Sequence, residues 1–516
     1  MNNITTSRQS LGALRNTNRS FLLGATVAWG LGIVFLFIFV YSQIGFETPQ
    51  SRSYLFPWCL ATGVVILAPS LILLYKGKFN PFHPLILATW SYFFPGFVIG
   101  GIFIASGITQ PYFLSFIQDE RYNLPLAFVV VIVGFASMSV GFALPIGEWA
   151  AARIRRRLPT WNWPDKKITN PGLILLIFGL AFTLLGYELG LLGYQRADTI
   201  GRFDGLIFLT STFATQATFL LWLNVFRAPT ISAKLWFVSG LLAITGFVNA
   251  ALQGKRSGLL FMAILIGFAY VLSGRKLAMK QYAIGMCLGI AALVIGMIYG
   301  TTFRSFNQSQ ERLSLSDTAG LIAKTGDELT SASALDNLGV GFAALAERVD
   351  TVSSVAVVVS SYEALAPYEE ALGTNSNIRN ELMFFFIPRF IWPDKPLPIS
   401  SSLYGDMYFN YEANSFAMTP MVDLLRNFGP IGVPIGMLIL GVFIRVLYST
   451  LLENQSFSYW RSTMYFVLFS SISFEGDYGS IFPYLFKMLF SCVIMVVLLR
   501  FMIGKPRKNL IHEMSI

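Results

Sequence analysis

Long apolar runs recur along nearly the whole chain, and they constrain its fold more than any other feature. Hydrophobic residues make up 54% of the sequence and charged residues 12%, whereas a soluble domain carries about 25% charged residues. About 20 apolar residues are needed to cross a hydrocarbon core of about 30 Å. The sequence therefore predicts an all-α polytopic membrane protein with about a dozen spans. The predicted spans are 21–44, 54–75, 85–106, 124–144, 172–192, 205–226, 235–252, 257–273, 281–300, 431–450, 463–474 and 481–502.

The distribution of basic residues predicts how these spans are oriented. Most Lys and Arg residues fall in alternate short loops and in the two termini, as the positive-inside rule requires of cytoplasmic segments. Both termini are therefore predicted to be cytoplasmic. The first apolar run is long enough to span and lacks a cleavage signature, so it is expected to be an anchor helix. The predicted inner cations include Arg8, Arg15, Arg19, Lys76, Lys78, Arg153, Arg155, Arg156, Arg157, Lys166, Lys167, Arg227, Lys234, Arg275, Lys276, Lys280, Arg445, Arg461, Arg500, Lys505, Arg507 and Lys508.

One long polar stretch interrupts the apolar pattern. Residues 1–300 hold the first nine predicted spans, residues 301–420 form the interruption, and residues 421–516 hold the last three spans and an inner tail. Acidic residues outnumber basic ones between 301 and 420, as is tolerated in a translocated loop. The interruption is therefore predicted to be an outward-facing loop domain, where the protein meets its substrate.

Several functional classes are disfavoured by what the sequence holds. The net charge of +10 lies mainly in inner loops, where membrane insertion and anionic lipids explain it without nucleic acid. Cys59, Cys287 and Cys492 fall in predicted spans and form no disulfide or metal-binding pattern. The chain has no phosphate-binding Walker loop and no dinucleotide fingerprint. His83 and His512 lie on the predicted inner side, so outward chemistry must use carboxylates, Lys, Arg or Tyr.

The short hairpin 253–258 is the first candidate site. Lys255 and Arg256 are adjacent cations on the predicted outer side, against the charge pattern of the other short loops. Ser257 is expected to cap the next helix, whose positive end would then face the same point as the two cations. This combination is typical of a phosphate site. The alternative is that both side chains reach the outer headgroups.

A second candidate lies inside the interruption, at Glu347, Arg348 and Asp350. On a helix, Glu347 and Asp350 would share a face, so a base and a charge partner could lie beside Arg348. The alternative is a solvated helix with a local ion pair.

A third candidate is the aromatic segment 380–396, which is too short to cross and has prolines near its end. Aromatic residues with flanking prolines suit a segment lying in the outer interface. Arg389 would then be held at headgroup depth, where a lipid diphosphate lies. The aromatic residues themselves are expected to anchor the loop.

The fourth candidate is the outer mouth of the last spans. Asp423 and Arg426 are spaced to pair on one helical turn, and Glu475 and Asp477 precede the final span. Lys487 lies about two turns inside that span, where ionisable groups face a cavity or a partner. Glu188 is a possible partner for Lys487.

These features together resemble the Wzy-type polymerases that join oligosaccharide repeat units in bacterial O-antigen and exopolysaccharide assembly. The resemblance rests on the number of spans, the late outward loop and three strings: Gly-Lys-Arg-Ser-Gly at 254–258, Ile-Pro-Arg-Phe-Ile-Trp-Pro-Asp-Lys-Pro at 387–396, and Asn-Phe-Gly-Pro-Ile-Gly at 427–432. The second string is the most specific of the three. A GT-C-like arrangement of helices is compatible with this layout.

The resemblance implies a membrane glycosyltransferase of the bacterial inner membrane. Its substrate would be an undecaprenyl-diphosphate-linked oligosaccharide, and a chain-length regulator and a flippase are candidate protein partners. Cations would hold the diphosphate, and a carboxylate would accept the proton of the acceptor hydroxyl. No cofactor or metal is expected, because arginines can neutralise a diphosphate. The expected catalytic residues are Asp350, Asp423 and Arg348, and the expected substrate-binding residues are Lys255, Arg256, Arg389, Arg426 and Lys487.

Other activities remain open at the level of sequence. A flippase or polysaccharide transporter would also have about a dozen spans, although carriers often show related halves and lack a large outward domain. The related O-antigen ligases use an outward histidine that this sequence lacks. A structural scaffold of the same machinery is a third alternative.

Overall fold

The computed structural model describes residues 52–77, 79–80, 82–107, 111–193, 203–255, 257–275, 279–306, 315–329, 349–387, 391–392, 401–410, 418–504 and 507–508. Within these ranges the structure is helical apart from turns and one antiparallel pair of two-residue strands. That pair joins β1 (Trp161–Asn162) to β2 (Arg507–Lys508), so two segments predicted to be cytoplasmic lie side by side.

The described helices are numbered here in chain order. They are α1 (Phe56–Tyr75), α2 (Pro84–Ser106), α3 (Pro111–Leu114), α4 (Glu120–Ala143), α5 (Pro145–Arg155), α6 (Thr169–Glu188), α7 (Asp204–Arg227), α8 (Ala233–Leu252), α9 (Gly258–Leu272), α10 (Met279–Phe306), α11 (Leu315–Leu329), α12 (Thr351–Ala371), α13 (Asn377–Phe384), α14 (Ser401–Phe409), α15 (Pro420–Leu451), α16 (Tyr459–Ser470) and α17 (Tyr478–Ile503).

Eight of these helices are long and apolar enough to cross a membrane: α1, α2, α4, α6, α7, α8, α15 and α17. They confirm eight of the predicted spans and make this an all-α, multi-pass membrane protein. Shorter apolar helices occupy 258–272 and 287–300, within two further predicted spans. The predicted span 21–44 lies outside the described residues. The count of twelve therefore stays a prediction.

Helices α4 and α15 pack closely because each presents glycine to the other. A Cβ atom placed on Gly141 would lie 2.1 Å from the Leu438 carbonyl oxygen, and one on Gly441 would lie 2.0 Å from that of Met138. Small residues allow such backbone contact between membrane helices, where dispersion rather than the hydrophobic effect drives association. Helix α15 of this pair also carries Asp423 and Arg426 of the candidate site.

A second packed group joins α7 to α16. The rings of Phe219 and Phe466 stack in parallel with centroids 4.1 Å apart. Every residue of α16 from Tyr459 to Leu468 is buried, so this part of the short helix lies in the interior of the bundle.

Candidate functional site

Helix α12 enters the bundle instead of lying over it. Its residues from Thr351 to Val359 are all buried, although it belongs to the interruption predicted to form an outward loop. It docks where α2 turns from an α-helix into a π-helix over Thr89–Ile99. A Cβ atom on Gly100 would lie 2.4 Å from the Val349 carbonyl oxygen. Part of the interruption is therefore built into the helix bundle.

Asp350 lies at the buried start of α12, and this corrects the predicted helix through Glu347 and Asp350. Asp350 has non-helical dihedral angles and is the N-cap of α12. Its two carboxylate oxygens accept from the Ser353 amide at 2.9 Å and from the Ser353 hydroxyl at 2.6 Å. A carboxylate that caps a helix in this way satisfies amides left without a partner at the helix start. The contacts therefore favour a capping role over a catalytic base.

Helix α15 folds back on itself at Gly429. This residue has φ 69° and ψ −169°, which breaks the helix. A Cβ atom on Gly436 would lie 2.3 Å from the side chain of Leu424, which is 12 positions earlier. In a straight helix those residues would be about 18 Å apart along the axis. The predicted span 431–450 therefore follows a short helical arm, 420–428, that runs back into the bundle.

The segment between α16 and α17 is the third irregular feature of this region. Helix α16 has 12 residues, which corresponds to about 18 Å and is too short to cross a hydrocarbon core. The non-helical residues 472–477 follow it and carry Glu475 and Asp477. The Asp477 carboxylate caps α17 by accepting from the Ser480 amide at 2.9 Å. Non-helical backbone in a membrane bundle is tolerated where it is buried in protein or lines a cavity.

Glu475 differs from the other carboxylates of this region. It is exposed, and among the described residues its carboxylate makes no hydrogen bond or ion pair. The ring of its neighbour Phe474 stacks on that of Tyr92, in the π-helical part of α2, with centroids 6.3 Å apart. Glu475 is thus an available acid at the point where the irregular segment meets α2.

Arg426 is the centre of a buried charge network between the folded-back arm and the interruption. Its guanidinium donates to Glu369 through Nε at 2.7 Å and Nη2 at 2.8 Å, and to Asp423 through Nη1 at 3.1 Å. Its remaining donors reach the Thr374 carbonyl at 3.3 Å and the Met418 sulfur at 3.4 Å. The Asp423–Arg426 pair confirms the spacing prediction.

This saturation bears on the predicted role of Arg426 in binding a diphosphate. A guanidinium has five N–H donors, and each is directed to an acceptor within the chain. The side chains of Arg426 and Asp423 are both 0% exposed. The geometry does not support the binding prediction, because no donor of Arg426 is left for a ligand.

Asp423 is held by several donors besides Arg426. Its oxygens accept from the side-chain amides of Asn377 at 3.1 Å and Asn427 at 3.2 Å, and from the Gly479 backbone amide at 3.1 Å. Gly479 lies in the first turn of α17, where helix amides lack partners and favour negative charge. Asp423 therefore connects the start of α17 to the interruption, and its lone pairs are largely used.

Glu369 and Tyr408 belong to this network but are absent from the sequence-based predictions. Glu369 accepts both guanidinium bonds and a hydrogen bond from the Tyr408 hydroxyl at 2.6 Å. Burial and the Glu369 charge raise the pKa of the Tyr408 phenol well above its ordinary value, so it remains a donor at neutral pH. The sequence shows Glu369 beside exposed Glu370, and nothing in it indicates which of the two is buried.

The hairpin 253–258 lies against α10. Gly254 has φ 57°, and a Cβ atom there would lie 2.4 Å from the ring of Phe303. Ser257 precedes α9 as predicted, but its side chain makes no capping hydrogen bond, which corrects the predicted cap. Lys255 is exposed and interacts with another part of the chain, while Arg256 lies outside the described residues.

The predicted pairing of Lys487 with Glu188 is not observed. Glu188 instead accepts from the Leu315 amide at 3.2 Å, at the start of α11. Lys487 is exposed on α17 and has an interaction elsewhere. Arg348, Arg389 and Glu347 lie outside the described residues, so their predicted roles stay predictions.

The described residues include no group of three or more His, Cys, Asp or Glu side chains that could hold a metal ion. The arrangement can instead offer two separate features: an exposed carboxylate, Glu475, and a buried network of Asp423, Arg426 and Glu369. Comparisons with family models, curated proteins and solved structures found no match to this chain.

Proposed function

We propose that this protein is a membrane glycosyltransferase that polymerises oligosaccharide repeat units carried on undecaprenyl diphosphate, at the outer face of the inner membrane. The observation that carries the proposal is that three irregular features meet neighbouring elements of the bundle. The start of α12 and the segment 472–477 both contact the π-helical part of α2, through Thr351 at Gly96 and through Phe474 at Tyr92. The folded-back arm of α15 bonds the first turn of α17 through Asp423 and Gly479. An enzyme that joins two lipid-anchored substrates needs charged and hydrogen-bonding side chains within its helix bundle. These three features carry such side chains, among them Asp423 and Glu475.

Glu475 is the carboxylate best placed to act as the general base. Asp350 caps α12 and Asp423 accepts from four donors, whereas Glu475 is exposed. In the proposed step the acceptor hydroxyl oxygen bonds to the sugar C1 as the bond from C1 to the diphosphate oxygen breaks. The hydroxyl proton passes to Glu475, and the diphosphate leaves with its lipid.

The leaving diphosphate requires cations, because negative charge develops on it as the bond breaks. Lys255, Arg256, Arg348 and Arg389 are the sequence-predicted candidates. Arg426 contributes indirectly in this proposal, since its donors fix the segments that carry Glu369 and Asp423.

The irregular helices also favour a second candidate, a transporter of lipid-linked oligosaccharides. Discontinuous helices whose ends lie within the bundle form the substrate sites of many secondary transporters. Helix α12 and the arm 420–428 both begin at buried residues. The two candidates differ in whether a glycosidic bond is formed.

Reconstitution in liposomes separates these candidates. Protein would be given a fluorescent lipid-diphosphate oligosaccharide whose length and leaflet can both be followed. A polymerase lengthens the glycan on substrate that already faces its active side. Movement between leaflets without any increase in glycan length would instead identify a transporter.

A further inference from the structure

A second buried arginine, Arg461, has an environment opposite to that of Arg426. Arg461 is 8% exposed and lies in the first turn of α16. Its Nη1 donates to the Gln455 side-chain oxygen at 2.7 Å and its Nη2 to the Pro159 carbonyl at 3.4 Å. Its Nε is buried without a hydrogen-bond partner. Among the described residues, no carboxylate lies within ion-pair distance of Arg461.

The electrostatic surroundings of Arg461 are positive. The start of a helix carries partial positive charge and favours anions, and Arg461 is a cation at such a start. Ser458, at the cap position, makes no side-chain cap, and its hydroxyl donates to the Trp161 carbonyl at 3.2 Å. Burial and the charge of Arg155 both lower the pKa of Arg461. Buried cations usually have a charged partner, since an isolated one is costly.

The groups around Arg461 supply a further hydrogen-bond donor and a further positive charge, and the nearby acids are paired with other residues. The Trp460 indole nitrogen is also buried without a hydrogen-bond partner, and its ring centroid lies 5.2 Å from the Arg461 guanidinium carbon. Arg500 lies over Trp161 at 4.7 Å. The nearby acids serve other groups: Glu453 pairs with Arg445 at 3.0 Å, and Asp165 accepts from Tyr459 at 2.8 Å.

We propose that Arg461, with Arg155 and the first turn of α16, forms a binding site for a phosphate-bearing anion on the predicted cytoplasmic side. Arg461 reaches back toward Gln455 and Pro159, so its guanidinium lies at the helix start, where the unpaired amides favour the same charge. The phosphate belongs to an inner-leaflet lipid headgroup or to free phosphate. This site is independent of the proposed glycosyl transfer.

Thermal unfolding of the full chain in detergent, after removal of bound lipid, tests the site. The probes are phosphatidylglycerol, zwitterionic phosphatidylcholine, sodium phosphate and sodium chloride at matched ionic strength. A ligand that binds only the folded state raises the unfolding temperature in a saturable way. We expect phosphatidylglycerol to do so, and Arg461→Gln to raise its half-saturating concentration about tenfold. An equal effect of sodium phosphate would identify free phosphate as a ligand.

The matched control is Arg153→Gln, which removes an exposed cation from the same helix, α5, and is expected to leave the half-saturating concentration unchanged. Arg155→Gln provides a second test if Arg461→Gln does not fold, with an expected increase of about twofold to fivefold. The proposal is overturned if neither anion stabilises the wild-type protein more than its control does. It is also overturned if the folded arginine variants respond like the wild type.

Discussion

At the scale of single residues, the role of a buried arginine depends on whether the chain itself supplies acceptors and negative charge for its guanidinium. Arg426 has two carboxylates and five used donors, whereas Arg461 has two neutral acceptors and a positive neighbour. Sequence spacing predicted the Asp423–Arg426 pair because its two members are three residues apart on one helix. It could not predict Glu369, whose 57-residue separation from Arg426 is closed only by the tertiary fold.

Glu369→Gln is expected to destabilise the protein by about 3–5 kcal/mol, because it leaves the buried Arg426 with only one acidic partner. Glu370→Gln removes the neighbouring exposed carboxylate and serves as the matched control, with an effect within about 0.5 kcal/mol. Denaturant or thermal unfolding in detergent measures both. Equal stability of the two variants would contradict the network as a stabilising element.

Glu475→Gln and Asp350→Asn are expected to separate catalysis from helix capping. Loss of a general base costs about 10²–10⁴ in rate, so Glu475→Gln should lose polymer while its unfolding temperature stays near that of the wild type. Asn caps helices as well as Asp does, so Asp350→Asn should retain polymer. Polymer length in cells and unfolding of the purified variants give the two readouts. The reverse pattern of activity would return the role of base to Asp350.

The burial of His83 leads us to expect that the stability of the protein depends on pH. It is buried between the rings of Phe142 and Tyr448, with centroids 4.8 Å and 5.0 Å away. Burial, with a smaller effect of Arg445, lowers its pKa from 6.5 to about 3. The folded protein therefore keeps His83 neutral, so its contribution to stability is complete above pH 6.5 and falls as the pH decreases toward 3.

The slope from this one proton is at most about 1.4 kcal/mol per pH unit. Because His83→Phe has no group to protonate, its unfolding temperature should fall less than that of the wild type over this acidic range. Both proteins share every other titrating group, so the difference between their profiles isolates His83. Superimposable profiles would show that His83 does not resist protonation.

At the scale of helices, the length of an apolar run was enough to predict the long spans. The fold-back of α15 and the docking of α12 depend on tertiary contacts, which the sequence does not show. Seven of the eight helices long enough to span lie close to their predicted limits because apolar length is a local property. The eighth, α15, begins well before its predicted span because it includes the folded-back arm. The sequence alone does not show that α12 enters the bundle, because its docking depends on Gly96 and Gly100 of α2. The Gly429-Pro430 pair is a turn signal that could have revealed the fold-back in α15.

The fold-back can be tested by joining its two arms. Cysteines introduced at Leu424 and Gly436, in a background without native cysteines, should form a disulfide because the Leu424 side chain reaches Gly436. A cysteine pair at Leu424 and Leu440 is the control. It keeps the first position and moves the second by about one helical turn along α15, so we expect no disulfide. Cross-linking would be followed by mass spectrometry. A straight helix, with positions 424 and 436 about 18 Å apart, would give no disulfide in either pair.

At the scale of the whole molecule, the polar interruption and the membrane helices form one structure. Helix α12 is buried against α2 and α4, and Arg426 of α15 holds Glu369 of α12. The interruption therefore supplies structural parts of the proposed site, and Glu475 comes from the non-helical segment between α16 and α17. Composition separated the polar interruption from the apolar spans at residues 301 and 420. It could not show that the two regions pack together, because composition depends on residue type and carries no information about tertiary contacts.

The proposed function requires that the protein form a glycosidic bond at the expense of a lipid diphosphate. Its most direct test is to count undecaprenyl diphosphate released by the purified protein against bonds formed between repeat units, using mass spectrometry of both products. We expect one lipid diphosphate per new bond, with release abolished in Glu475→Gln and retained in Glu370→Gln. Substrate that is bound or moved across the membrane while its glycan stays one repeat unit long, with no lipid released, would contradict it.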